Sequence, residues 1–194
     1  MATSVQLRRG TTTQNNAFTG ALGEISVDTT SHAIRVHDAS TQGGFEIGLS
    51  ATPVTLVATS SITAADHGGR TLFLGEVGGN AIATFTMPDA TGSGNIYEFI
   101  VTVANTSNYK IQAPDASNVF TGQIMYLDED GTAVTAYPTV AASDTITLNA
   151  GTTGGLVGDS IRMIDIAADK YAVMGQMRVA AGANPATPFS AAVS

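Results

Sequence analysis

Apolar and polar residues alternate along this chain in short runs, separated by clusters of Gly, Pro, Asn and Asp. Period-two runs of this kind predict strands, and no stretch sustains the 3.6-residue period of a helix. The first run is Val5-Gln6-Leu7-Arg8-Arg9-Gly10-Thr11, an amphipathic strand. A polar linker follows, with Thr11 to Asn16 read as a loop or a single helical turn. Gly23-Glu24 opens the strand Ile25-Ser26-Val27-Asp28, and Ala33 to Asp38 alternates again before a close at Phe45-Glu46-Ile47-Gly48. These elements make residues 1–50 a small β module, too small to bury a core by itself. Such a module needs copies of itself or a partner domain. Ser50-Ala51-Thr52-Pro53 reads as a seam, because Pro53 and its small neighbours disfavour continued structure.

Residues 51–178 repeat the strand-and-turn pattern. Strands are expected at Val54–Val57, Thr71–Leu74, Ile82–Met87, Ile96–Val103, Tyr109–Gln112, Gln123–Leu127, Thr145–Leu148, Ser160–Ile166 and Tyr171–Met177. Turns are expected at Ala65–Gly69, Gly78–Asn80 and Asp128–Gly131, and a flexible loop at Asp89–Asn95. In Ile96–Val103, Tyr97, Phe99, Val101 and Val103 share one face, while Ile96 and Ile100 join Glu98 and Thr102 on the other. Both faces of that strand are therefore at least partly covered. The last two strands, joined across Ala167-Ala168-Asp169, read as a hairpin. The whole predicts an antiparallel β-sandwich or barrel of roughly eight to ten strands. Residues 179–194 are small, Pro-containing and without alternation, which predicts an extended arm or tail.

Composition sharpens this picture. Of 194 residues, 43% are hydrophobic and only 12% charged, so Thr, Ser, Asn and Gly supply the polarity. The formal charge of −8 and two lysines leave no basic footprint for nucleic acid. There is no cysteine, so disulfides and thiolate metal sites are excluded. No apolar run approaches the roughly 18 residues of a membrane span, and Met1 to Ser4 carry no secretory signal. No membrane partner is expected.

Candidate chemistry is thin. His32, His37 and His67 lack a motif that would make any of them a general base. They are read as surface or turn histidines, and no enzymatic activity is expected. Asp128 and Asp130 in Asp-Glu-Asp-Gly could offer oxygens to calcium, but no distal bidentate Glu follows, so a solvated turn is the simpler reading. Gly151-Thr152-Thr153-Gly154-Gly155 lacks the lysine and following helix of a phosphate loop. No cofactor is expected. The aromatics Tyr97, Phe99, Tyr109, Phe120, Tyr126 and Tyr137 are read mainly as packing residues.

The opening Val-Gln-Leu-Arg-Arg-Gly-Thr, followed in order by Gly23-Glu24 and a strand ending in Asp28, resembles the short N-terminal domain of phage tail-fibre and major tropism determinant-type receptor-binding proteins. His37-Asp38-Ala39-Ser40 stands where that family usually has Gly-Asp-Gly, and Phe45 where Trp is common. The resemblance covers about a quarter of the chain. It implies a virion protein and a homotrimer, with a β-prism-like, trimer-forming first module. Particle docking or trimer contacts would then come from Val5, Leu7, Arg8, Arg9, Glu24, Ile25, Val27, Ile34 and Val36. For Arg8 and Arg9 two readings stand: an ion pair with Glu24 or Asp28, or a contact to an acidic virion surface.

No heptads, Gly-X-Y triplets or shaft repeats follow the module. The expected role is therefore a trimeric capsid decoration (cement) protein on the outside of the phage head, partnered by the major capsid protein or another virion protein. The alternative is a short tail-fibre or spike protein that binds a host receptor through Asp89–Asn95 and Asn149–Gly155.

Overall fold

The computed structural model describes residues 6–47, 53–76, 82–127 and 134–193. The chain divides into two compact units, Met1–Thr52 and Pro53–Ser194.

The first unit holds β1 (Arg8–Gly10), α1 (Thr12–Asn16), β2 (Ile25–Asp28), β3 (Ala33–Val36) and β4 (Phe45–Ile47). They form one four-stranded sheet in the order β1-β2-β3-β4. β1 runs parallel to β2, and the other pairs are antiparallel. α1 begins where it does because Thr11 and Gln14 form a reciprocal capping box. That box satisfies two backbone N–H groups that a helix start leaves unpaired.

The second unit adds β5 (Val54–Leu56), β6 (Ser60–Ser61), α2 (Ala64–His67), β7 (Arg70–Leu74), β8 (Thr84–Thr86), β9 (Ile96–Val101) and β10 (Tyr109–Gln112). It continues through β11 (Val119–Leu127), β12 (Val134–Pro138), β13 (Thr145–Leu148), β14 (Ser160–Ala167), β15 (Lys170–Arg178) and β16 (Phe189–Ser190). One sheet has the order β12-β11-β15-β14-β9-β7-β5, the other β16-β13-β10-β8-β6. Their inward side chains form a single core. Tyr97, Phe99, Phe120 and Tyr171 come from the larger sheet, and Phe85, Tyr109, Ile111 and Ile146 from the smaller. Tyr171 meets both Tyr97 and Phe120 edge-on. The protein is all-β, and its sheets are open.

The antiparallel expectation is corrected. β5–β7, β7–β9 and β11–β15 are parallel in the larger sheet, and β6–β8 and β8–β10 in the smaller. Apolar alternation marks a strand but not its neighbour, and sequence-distant strands pair here. The β14–β15 hairpin forms, with a register shift between Asp165 and Ala167 and Asp169 at φ 59° in its turn. The expected turn at Ala65–Gly69 contains α2, capped by Thr63, whose Oγ1 accepts the Asp66 N–H. The expected turns at Gly78–Asn80 and Asp128–Gly131 lie outside the described residues.

Asp89–Asn95 is not a loose loop. Asp165, buried to 3% exposure, accepts the backbone N–H groups of Thr91, Gly92 and Ser93 and the hydroxyls of Thr91 and Ser93. Residues 179–193 pack on their own unit. β16 pairs with β13, the Tyr137 hydroxyl donates to the Pro185 carbonyl, and Asp144 accepts the N–H groups of Ala192 and Val193. Among the described residues no helix is long and apolar enough to cross a membrane.

Candidate assembly face of the N-terminal module

The four-stranded sheet inverts the usual arrangement of its two faces. Its covered face is polar. Ser26, Asp28, Arg35 and His37 are buried, at 0%, 0%, 7% and 1% exposure. Arg35 Nη2 meets Asp28 Oδ2 at 2.9 Å and lies 3.7 Å from Glu46. Its Nη1 donates to Asn16 Oδ1 and the Gly43 carbonyl at 2.8 and 3.1 Å. Asp28 also accepts from Thr12 Oγ1 and from the N–H groups of Thr30 and Ser31. Burial pushes the Asp28 carboxyl up. The hydrogen bonds from Ser31, Thr12, Thr30 and Arg35 outweigh that and hold it below the usual carboxylate range.

His37 is a core residue, which corrects its reading as a surface or turn histidine. Nδ1 accepts the Gly20 N–H at 3.2 Å and Nε2 lies 2.9 Å from Ser26 Oγ. With Nδ1 accepting, Nε2 carries the proton and donates to Ser26. The ring meets Phe18 edge-on at 5.1 Å. A Cβ on Gly20 would sit 2.6 Å from the imidazole, and one on Gly44, at φ +61°, 2.7 Å from it. Both glycines are therefore required by the histidine. His32 is exposed, and His67 Nδ1 accepts the Thr63 N–H at the start of α2.

The opposite face is apolar and open. Ile25 lies opposite Val36, and Val36 opposite Phe45. Val27 lies opposite Ile34, and Ile34 opposite Ile47. Arg9 pairs with Val27, which places Leu7 beside Ile25. Two rows result: Leu7, Ile25, Val36, Phe45 and Arg9, Val27, Ile34, Ile47. Leu7, Ile25, Ile34, Phe45 and Ile47 are 47%, 39%, 48%, 56% and 59% exposed. Scattered exposed apolar residues are ordinary, but five exposed ones with the half-buried Val27 and Val36 between them make a contiguous apolar patch of the kind that interaction surfaces carry.

Six of the sequence-derived contact residues, Leu7, Arg9, Ile25, Val27, Ile34 and Val36, fall on this one face. Val5 lies outside the described residues. Arg8 and Glu24 do not join the grid. Arg8 Nε donates to Glu24 Oε1 at 2.6 Å, and its guanidinium lies 4.3 Å from the centre of the Phe18 ring. Glu24 is held below its ordinary pKa by the Ala21 N–H first and Arg8 second. Arg9 is exposed, and among the described residues it has no ion-pair partner. Phe45 and Ile47 were not among the expected contact residues, yet they lie on the same face, and their alternation with Glu46 carried that signal.

Asp128 and Asp130 lie outside the described residues. Among the described residues, no cluster of three or more His, Asp or Glu could hold a metal. Asn149 Oδ1 accepts the N–H groups of Gly151, Thr152 and Thr153, so that glycine-rich stretch is a self-bonded turn.

Residues 5–41 match the major tropism determinant N-terminal domain family. The tail fibre receptor-binding protein of Bordetella phage BPP-1 is 53% identical over 47 residues, which make up 24% of this chain and 12% of that relative. The solved U1 and M1 variants of the major tropism determinant align at 26% and 27% identity. They cover 84% of this chain and 43% and 42% of their own, with a TM-score of 0.23 in each case. That superposition is too loose to bear on the fold of either unit. Nothing in these matches supports capsid decoration. The N-terminal module, and it alone, is thus similar to that of phage proteins of the tail-fibre and major tropism determinant type.

Proposed function

We infer that this is a virion protein of the phage tail, in which the N-terminal module joins copies of the chain and the β-sandwich unit faces a host receptor. The observation that carries the assembly half is the open apolar face. A water-facing grid of Leu7, Ile25, Val27, Ile34, Val36, Phe45 and Ile47 is costly for a lone chain. Three copies can close such faces around one axis, each face meeting its neighbours, and the homotrimer is the assembly that this reading adopts. Arg9, at one edge of the grid, is placed to reach a carboxylate on a neighbouring copy or on the tail.

The receptor half rests on the 53% identity to a tail fibre receptor-binding protein. That match is confined to the module that both proteins share. The test is competition. Purified full chain, added before phage, is expected to lower phage adsorption to its host in proportion to occupancy. Undiminished adsorption at saturating protein would contradict the receptor role.

A further inference from the structure

The outward face of the larger sheet contains a cleft of about 440 Å³ that the assembly face does not explain. Its walls come from β9, β14, β15 and β11, which are consecutive in the sheet. Glu98 lies opposite Arg162, Arg162 opposite Met174, and Met174 opposite Gln123. In the adjacent row, Ser160 lies opposite Gln176 and Gln176 opposite Met125. Four strands at about 4.8 Å spacing make this a groove roughly 14 Å across. Ile161 and Gly175 also line it.

The polar groups in this groove are unspent. Glu98 and Arg162 face each other across two strands yet form no ion pair. Among the described residues, the side chains of Gln123, Gln176 and Ser160 likewise have no hydrogen-bond partner within the chain. Five convergent polar side chains on a rigid strand scaffold, aimed outward and uncommitted, are the makings of a recognition site.

Their chemistry selects the ligand. Glu98 only accepts, Arg162 only donates, and each glutamine amide does both. A hydroxyl also donates and accepts, so a hydroxyl-rich surface satisfies the whole set. A phosphate or carboxylate would meet Glu98 and the −8 charge of the chain, while an ammonium would meet Arg162. Met125 and Met174 add flexible, polarisable contacts suited to the C–H face of a sugar ring. We propose that this groove binds a neutral saccharide, so that the receptor is a glycan on the host surface. This rests on the receptor-binding reading given above.

The test uses labelled full chain on an array of neutral and of carboxylated or sulfated oligosaccharides. A Gln123→Ala/Gln176→Ala variant, with a thermal midpoint matching the parent, is run beside it. The expected result is retention by neutral glycans, weakened about tenfold or more in the variant, as the loss of two amide contacts predicts. The same variant should adsorb to host cells about tenfold more weakly. Binding confined to acidic glycans, no glycan binding at all, or equal binding by the variant would each overturn the proposal. If parent and variant adsorb to cells equally well, the groove is not the receptor site and the receptor-binding reading stands. If the parent fails to adsorb to cells, the receptor-binding reading itself falls.

Discussion

Truncating Phe45 to alanine probes the assembly face without touching the fold. Phe45 is 56% exposed in the single chain. A phenylalanine offers roughly 200 Å² in all, so about 110 Å² is left to bury on assembly. At about 25 cal/mol per Å², that burial contributes nearly 3 kcal/mol per copy. Alanine keeps part of the contact, so Phe45→Ala removes about 2 kcal/mol per copy. Over a trimer this is about 6 kcal/mol, or roughly four decades in the trimer–monomer equilibrium constant. Because that constant scales with the square of concentration, the midpoint of dissociation should rise about a hundredfold. Sedimentation velocity across a dilution series reads the midpoint directly. The far-ultraviolet spectrum should match the parent's and the thermal midpoint of the dissociated chain should change little, since more than half of the residue is exposed in the single chain. An unchanged dissociation midpoint in a folded Phe45→Ala protein would refute the reasoning.

Arg35→Met should destabilise the N-terminal module by about 3 to 5 kcal/mol, because it leaves the buried Asp28 carboxylate without its cation; denaturant unfolding with a reporter in that module reads the loss. Gly122→Ala should prevent the sandwich unit from folding. A Cβ there would lie 1.9 Å from the Val173 carbonyl oxygen, at φ +147° on the long parallel β11–β15 pairing, and recovery of soluble, cooperatively unfolding protein would contradict this. Stability should fall as pH drops below about 4. Asp28 and Asp165 both titrate below their unfolded value in the native state, so the unfolded chain takes up protons first. Asp159 acts in the opposite sense: burial holds its carboxyl up despite the N–H groups of Leu156, Gly155 and Arg178. Its contribution grows as pH falls from neutral toward its raised value, so thermal midpoints should peak in the mildly acidic range, and a midpoint that rises steadily down to pH 2 would contradict the assignment.

Strand positions were legible wherever alternation was strong. Tyr97, Phe99 and Val101 point into the core as their spacing demands, and β14 and β15 form the hairpin that their shared turn announced. Pairing was not legible. Nothing in the run Val119–Leu127 tells that its neighbour is Lys170–Arg178 and that the two run parallel. β12 was not among the expected strands; it ends in Pro138, which an edge strand tolerates, and β12 is an edge. α2 carried a readable start in Thr63-Ala64-Ala65-Asp66, the pattern of a capped helix.

The N-terminal module shows the deeper limit. Alternation in Ile25–Asp28 and Ala33–Val36 separates two faces but does not say which one is covered. The usual inference puts the apolar face inside. Here the Asp28–Arg35 pair, Asn15 and the His37–Ser26 pair take the covered side and leave the aliphatic residues on the open one. A buried polar layer of this kind is tolerable only when nearly every group is satisfied. The local donors come from α1 and the turns after β2 and β3, and spacing in sequence does not reveal them. Among the described residues of that unit, Arg35 Nε and Ser31 Oγ are the buried side-chain atoms left without a partner.

Cryo-electron microscopy of intact virions, with an antibody fragment bound to this chain as a fiducial, tests the central claim most directly. The account predicts density on the tail, with three N-terminal sheets turned inward around one axis and Phe45 and Ile47 at the contacts. Density on the capsid lattice, or single copies with the apolar face open to solvent, would contradict it.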